Sequence, residues 1–201
     1  MPRITATKGE EAMDLDKLTA GFRQVMEGLG LDPEDPHLKD TPLKTARAWY
    51  EDICAGLGEA EIGLQVYPVE EGQQTGLIAL QHIPVKSLCA HHLLPFVGYA
   101  TVGFLPGNYY CGLSHLSRVV NHFARRPQMQ ELLTHQVAQF LSDRLAPRGV
   151  GVAVQASHYC MELRGVNHSG IMNTSVMLGA MRDDPGLRAE FLALAPNSRK
   201  T

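Results

Sequence analysis

Long apolar runs are missing from this chain of 201 residues. Nowhere do about eighteen apolar residues follow one another, which excludes a membrane-spanning helix of ordinary length. Cysteine is scarce too. Cys54, Cys89, Cys111 and Cys160 are widely spaced in a chain long enough to build its own core, unlike a secreted disulfide framework, so metal ligands or free thiols are expected. Neither sign of charge dominates: 18 Lys and Arg against 21 Asp and Glu give a net charge of -3. No basic field for nucleic acid results, although a local pocket can still take a small anion. The opening "MPRITATKGEEAMD" has no apolar core of signal-peptide length, which sets the expectation of a cytoplasmic protein. What is present is an apolar fraction of 44%, ordinary for a fold with a real core.

Residues 1 to 13 lack periodicity and are expected to be a flexible tail. Leu15, Leu18, Phe22, Val25, Met26 and Leu29 then fall on one helical face, closed by Gly30. "LDPEDPHLKDTP" reads as a loop, and Thr41 with Pro42 signals a second helix through about Gly56. Residues 57 to 76 read as a connector, so 14 to 76 form an N-terminal helical region and 77 to 201 the main domain. "LIALQHIPVKSLC" and "FVGYATVGFLP" read as β segments. A short helix is expected from Leu113 to Phe123. A longer one has Pro127 in its first turn and Leu132, Leu133, Val137, Phe140 and Leu141 as its stripe. "GVGVAVQASHYCMELRGV" and "NTSVMLGAM" then read as strands and "PGLRAEFLALA" as a closing helix. Strand pairs around a helix pair make the class α+β with an antiparallel sheet.

The segment "SLCAHHLLPF" carries the chemistry. Cys89 and His92 stand in a C-x-x-H spacing that lets one tight turn offer a thiolate and an imidazole to a single ion, a pair suited to zinc. In "SHYC", His158 and Cys160 are two apart on an expected strand and so would share a face. Cys89, His92 and Cys160 would make a three-ligand set with an open position, leaving His91 and His158 as proton carriers. A closed site using one of those histidines, or a pair of buried thiols without metal, fits the same spacing. His37, His82, His122 and His135 lack such partners, and Cys54 and Cys111 read as small apolar packing residues.

In this order and spacing, "CAHHLLPFVGYATVGFLP", "GLSHLSRVVNHFARRPQMQELLTHQV" and "SHYCMELRG" resemble GTP cyclohydrolase I. "TPLKTARAWYEDICAGL" is similar to that family's second N-terminal helix, and the resemblance runs from about residue 15 to 194. It implies a T-fold subunit whose sheet joins those of other subunits in an oligomeric ring, two rings forming a homodecamer with active sites between subunits. It also implies zinc on Cys89, His92 and Cys160. The reaction it implies is hydrolysis of the imidazole ring of GTP, with C8 released as formate and 7,8-dihydroneopterin triphosphate formed. His158 would protonate the ring nitrogen and His91 would shuttle protons. Glu131, supported by Gln130, is suited to accept from the guanine N1–H and 2-amino group. Ser114, His115, Arg118 and Arg164 would face the triphosphate.

Some positions depart from the family pattern. Ala90 stands where a glutamate is usual, His115 where a lysine is usual and Gln155 where an acid is usual, while Ile171 and Asn173 replace hydroxyl residues. A lost cation and lost hydroxyls weaken a phosphate grip, so a less phosphorylated guanine nucleotide, or a halt at a ring-opened intermediate, is the alternative expectation. A zinc-stabilised oligomer that binds a nucleotide without turnover is the non-enzymatic one.

Overall fold

The computed structural model describes residues 13–58, 62–73 and 76–195. The tail expected over 1 to 13 lies outside them except for Met13. The chain forms two compact units, residues 1–60 and 61–201.

In the first unit α1 spans Leu15–Gly28. Asp14 caps it, its carboxylate accepting from the Lys17 N–H at 2.9 Å. Gly30, at φ 76°, turns the chain out of the helix, a backbone shape only glycine takes without strain. The single helix expected from Thr41 to Gly56 is instead three turns of different pitch. α2 covers Thr41–Arg47, a widened π turn covers Ala48–Ile53, and a tight 3-10 turn covers Ala55–Leu57. The wide turn closes through the Cys54 N–H donating to the Trp49 carbonyl at 2.8 Å. Trp49 meets the Phe22 ring edge-on at 5.4 Å, a packing preference that periodicity does not register.

The second unit begins inside the expected connector, where β1 (Val66–Pro68) pairs with β4 (Tyr109–Cys111). Its main sheet has the order β5-β2-β3-β6-β7, built from β2 (Ile78–Cys89), β3 (Pro95–Leu105), β5 (Pro127–Gln128), β6 (Gly149–His158) and β7 (Ile171–Gly179). Every pairing is antiparallel except the short β5 against β2. α3 (Leu113–Ala124) lies over β2, and α4 (Gln130–Leu145) over β6 and β7.

The core is the layer between these two helices and one sheet face. Ile83, Val85, Phe96, Ala100, Val102, Phe104, Val150, Val152 and Val154 meet Leu116, Val119, Val120, Leu133, Val137 and Leu141 there. Alternation puts Gly103, Gly151 and Ala153 on the other face. There α6 (Ala180–Asp183) and α7 (Pro185–Leu194) bring Met181 and Phe191 onto the sheet. The α+β class with an antiparallel sheet is therefore what the chain forms.

Two local expectations near the site are corrected. Pro127 does not start α4: with Gln128 it forms β5, whose partners are Leu88 and Cys89. Cys160 does not lie on a strand. β6 stops at His158, and a helical turn, α5 (Tyr159–Glu162), carries the cysteine. The last pair of the β3–β6 ladder is Phe96 with His158, so beyond it the chain is free to coil.

Candidate metal centre and active site

Cys89 ends β2 and begins a tight reversal. Its N–H donates to the Leu94 carbonyl at 2.8 Å, and its own carbonyl accepts from the Leu93 N–H at 2.8 Å. Leu93 takes φ 53°, which lets the chain return as β3. The Ala90 N–H donates to the Gln128 carbonyl at 2.9 Å, so β5 anchors this turn. Rigid backbone on both sides leaves the turn's side chains to face one place.

Cys89 Sγ is 3.6 Å from His92 Nδ1 and 3.9 Å from His91 Nδ1. The α5 turn completes the group: one donor atom each from Cys89, His92 and Cys160 lie within 4.8 Å of one another. Tetrahedral zinc with sulfur and nitrogen bonds of about 2.0 to 2.3 Å spaces its ligands by under 4 Å, so small side-chain adjustments seat an ion. Two soft sulfurs and an imidazole fit zinc better than a hard cation. The donor set thus fits the metal that the spacing suggested. The Cys160 thiol is pushed up, first by burial and then by the neighbouring Cys89 sulfur, while Arg164 pulls it the other way. A dication between the sulfurs removes that conflict, because a thiolate is then the favoured state.

His158 ends β6, two residues before Cys160. Its ring stacks on Phe96, 0% exposed, with centroids 4.7 Å apart and planes 8° off parallel. Its Nε2 lies 2.8 Å from Gln130 Oε1. Burial lowers the tendency of His158 to hold a second proton, and the carboxylate of Glu131 acts in the opposite sense. Glu131 is exposed in the first turn of α4, whereas Gln130 beside it is buried.

Cys89, His91, His92, His158, Cys160, Gln130, Glu131 and Arg164 are thus gathered around the β2–β3 turn, the end of β6 and the start of α4. Ser114, His115 and Arg118 lie on the first turns of α3, and among the described residues no hydrogen bond joins them to Cys89, His92 or Cys160. Ser114 and Arg118 are exposed, and His115 keeps Nδ1 buried without a partner. Sequence reasoning missed Phe96 as the platform for His158, and it missed Thr134 and Thr174, whose hydroxyls lie behind Gln130. The one available signal was Thr134 standing four residues, one helical turn, after Gln130.

An α+β fold with a Cys-His-Cys group that could hold a metal ion and two further histidines has the makings of a metallohydrolase. The family model described as GTP cyclohydrolase I matches residues 18–196, and the chain belongs to that family. A protein named GTP cyclohydrolase 1 from Hahella chejuensis is 39% identical over 186 residues, 92% of this chain and 98% of that protein. Its namesake in Carboxydothermus hydrogenoformans is 42% identical over 185 residues, 90% of this chain and 95% of its own. The one from Listeria innocua is 41% identical over 186 residues, 92% of this chain and 97% of that protein. A solved structure of the archaeosine synthase QueF-Like, in the apo form, overlaps 53% of this chain and 97% of its own at TM-score 0.46 and 14% identity.

Proposed function

We infer that this chain is a zinc-dependent GTP cyclohydrolase I, opening the imidazole ring of GTP, releasing C8 as formate and forming 7,8-dihydroneopterin triphosphate. The observation that carries this reading is the convergence of Cys89, His92 and Cys160 from two separate segments, with His91 and His158 beside them. Zinc held by the three ligands supplies a Lewis acid that makes water nucleophilic near neutral pH.

The chain's own side chains do the rest. Glu131, exposed at the start of α4, accepts from the guanine N1–H and 2-amino group, and an adenine edge leaves it unpaired. That contact sets the imidazole end of the base toward His158, which hands a proton to the ring nitrogen as the ring opens. His91, on the exposed side of the turn, takes up and returns protons during hydration and rearrangement. Ser114, His115, Arg118 and Arg164 hold the triphosphate. The same reading has active sites between subunits, a second subunit contributing part of each. The same reading makes the protein a cytoplasmic homo-oligomer, a decamer built from rings.

Incubating zinc-loaded protein with GTP tests this. Formate together with a fluorescent neopterin species after oxidation is the expected result. Formate without a pterin points to a halt after ring opening, and neither product overturns the reading. The departure at His115 makes a profile of GTP, GDP, GMP and guanosine informative: clear preference for GTP shows that the phosphate end is intact.

A further inference from the structure

Gln130 opens α4 yet is 1% exposed, so both ends of its side-chain amide must find partners within the protein. The nitrogen lies 3.0 Å from the Val154 carbonyl on β6, 3.0 Å from the Met172 carbonyl on β7 and 3.2 Å from Thr174 Oγ1. Carbonyl oxygens only accept, so the amide atom facing them is the NH2 group and the oxygen points the other way. On that other side His158 Nε2 lies 2.8 Å from Gln130 Oε1. An amide oxygen also only accepts. Nε2 of His158 therefore carries the hydrogen, and Nδ1 is the ring nitrogen left for chemistry.

The hydroxyls behind Gln130 are equally constrained. Thr134, 0% exposed, donates its hydrogen to the Gln130 backbone carbonyl at 2.7 Å. That hydrogen being spent, the 2.6 Å contact between the two hydroxyls runs from Thr174 to Thr134. Thr174 keeps its oxygen for the Gln130 amide. Each link has one direction, and the series ends at the imidazole.

We propose that Thr134 and Thr174 are positioning residues for His158, keeping its Nε2–H on Gln130 so that the proton handed to the opening ring is the one carried on Nδ1, while Phe96 fixes the plane of the ring. Gln130 is then a support for His158 and not a ligand of the guanine base. The inference rests on the reading of His158 as the proton donor to the opening ring. A network that only ties α4 to β7 would affect stability and leave the turnover of folded protein unchanged.

Thr174→Val and Thr134→Val, each in the full zinc-loaded chain, remove a hydroxyl at nearly constant shape. With GTP, kcat for formate release is expected to fall about tenfold or more while KM stays within about twofold, because a misplaced proton donor affects the chemical step and neither threonine is placed at substrate or metal. Zinc content should match the parent, and Thr→Ser at the same positions should restore kcat. Crystal structures of the valine variants give a readout that does not depend on activity. The Nε2 to Gln130 contact should lengthen past about 3.5 Å, or the imidazole should leave Phe96. The threonines sit on different elements, so either variant serves if the other does not fold. Unchanged kcat in a valine variant, serine no better than valine, or an undisturbed His158 in the crystals overturns the inference. If the parent releases no formate from GTP, the activity reading fails, and the crystal structures alone decide this one.

Discussion

Cys160 shows what one side chain contributes that its neighbours cannot replace. It is the metal candidate that comes from outside the β2–β3 turn, and without it Cys89 and His92 are two donors on one short loop. Cys160→Ala is expected to weaken zinc by more than the roughly 10 to 100-fold typical of losing an outer-shell partner, as read by chelator competition, and to abolish formate release with it. His115 poses the opposite case, a residue whose replacement should improve function. Its Nδ1 is buried and unpartnered beside the exposed Arg118. His115→Lys puts a permanent ammonium at the proposed phosphate end, and each charge-assisted bond contributes about 1.5 to 3 kcal/mol. The KM for GTP should fall several-fold, with the gain shrinking as salt is added; an unchanged KM at low salt would remove His115 from the phosphate site.

At the scale of elements, the outer sheet face depends on two glycines that face each other across β3 and β6, Gly103 and Gly151. A Cβ at Gly151 would stand 3.0 Å from several ring carbons of Phe191, and one at Gly103 would stand 2.9 Å from that ring. Missing side chains are what let α7 lie against the strands. Phe191 is 0% exposed there, so Phe191→Ala should cost about 3 to 5 kcal/mol, while Gly151→Ala should cost about 1 to 3 by overpacking. Denaturant midpoints of the two variants would check this order. The short β5 has consequences for the site: its Gln128 carbonyl holds the Ala90 N–H, and its Gln128 side chain donates to the Phe123 carbonyl at 3.0 Å and to Gln136 Oε1 at 2.8 Å. Two residues of strand therefore link the metal turn to α3 and α4.

For the molecule as a whole, the distribution of its cysteines separates chemistry from packing. Cys89 and Cys160 belong to the group that could hold a metal ion, whereas Cys111 is buried in the core and Cys54 is buried in the N-terminal unit. Burial pushes the Cys111 thiol from its ordinary 9.0 up to about 11, and burial raises Cys54 as well. The thiolate is the reactive form, so Cys111 in folded protein near pH 8 should resist iodoacetamide and react readily once the chain is unfolded. The sign for stability follows. A folded pKa raised above the unfolded one gives stability that is complete below pH 9 and is lost as pH rises toward about 11. Peptide mass spectrometry after pulsed labelling across that range reads both effects, and fast labelling of Cys111 at pH 8 in native protein would contradict its placement in the core.

The order and spacing of side chains determined, without coordinates, the α+β class, the helix that is α3, the apolar stripe of α4 and the Cys-His-His turn between two strands. Those features follow from local periodicity and from chemistry within a few residues. Three things depended on the tertiary structure. Cys160 comes within reach of Cys89 and His92 from a helical turn because the β3–β6 ladder ends at Phe96 and His158, which no residue within that segment specifies. Pro127 and Gln128 form a strand because Leu88 and Cys89, some forty positions earlier, offer them a partner. The orientation of His158 depends on Gln130, Thr134 and Thr174, brought together from α4 and β7 across as many as 44 positions. Hydrogen-bond direction in a buried network is set by every group that must be satisfied at once, and the chain brings those groups together only by folding.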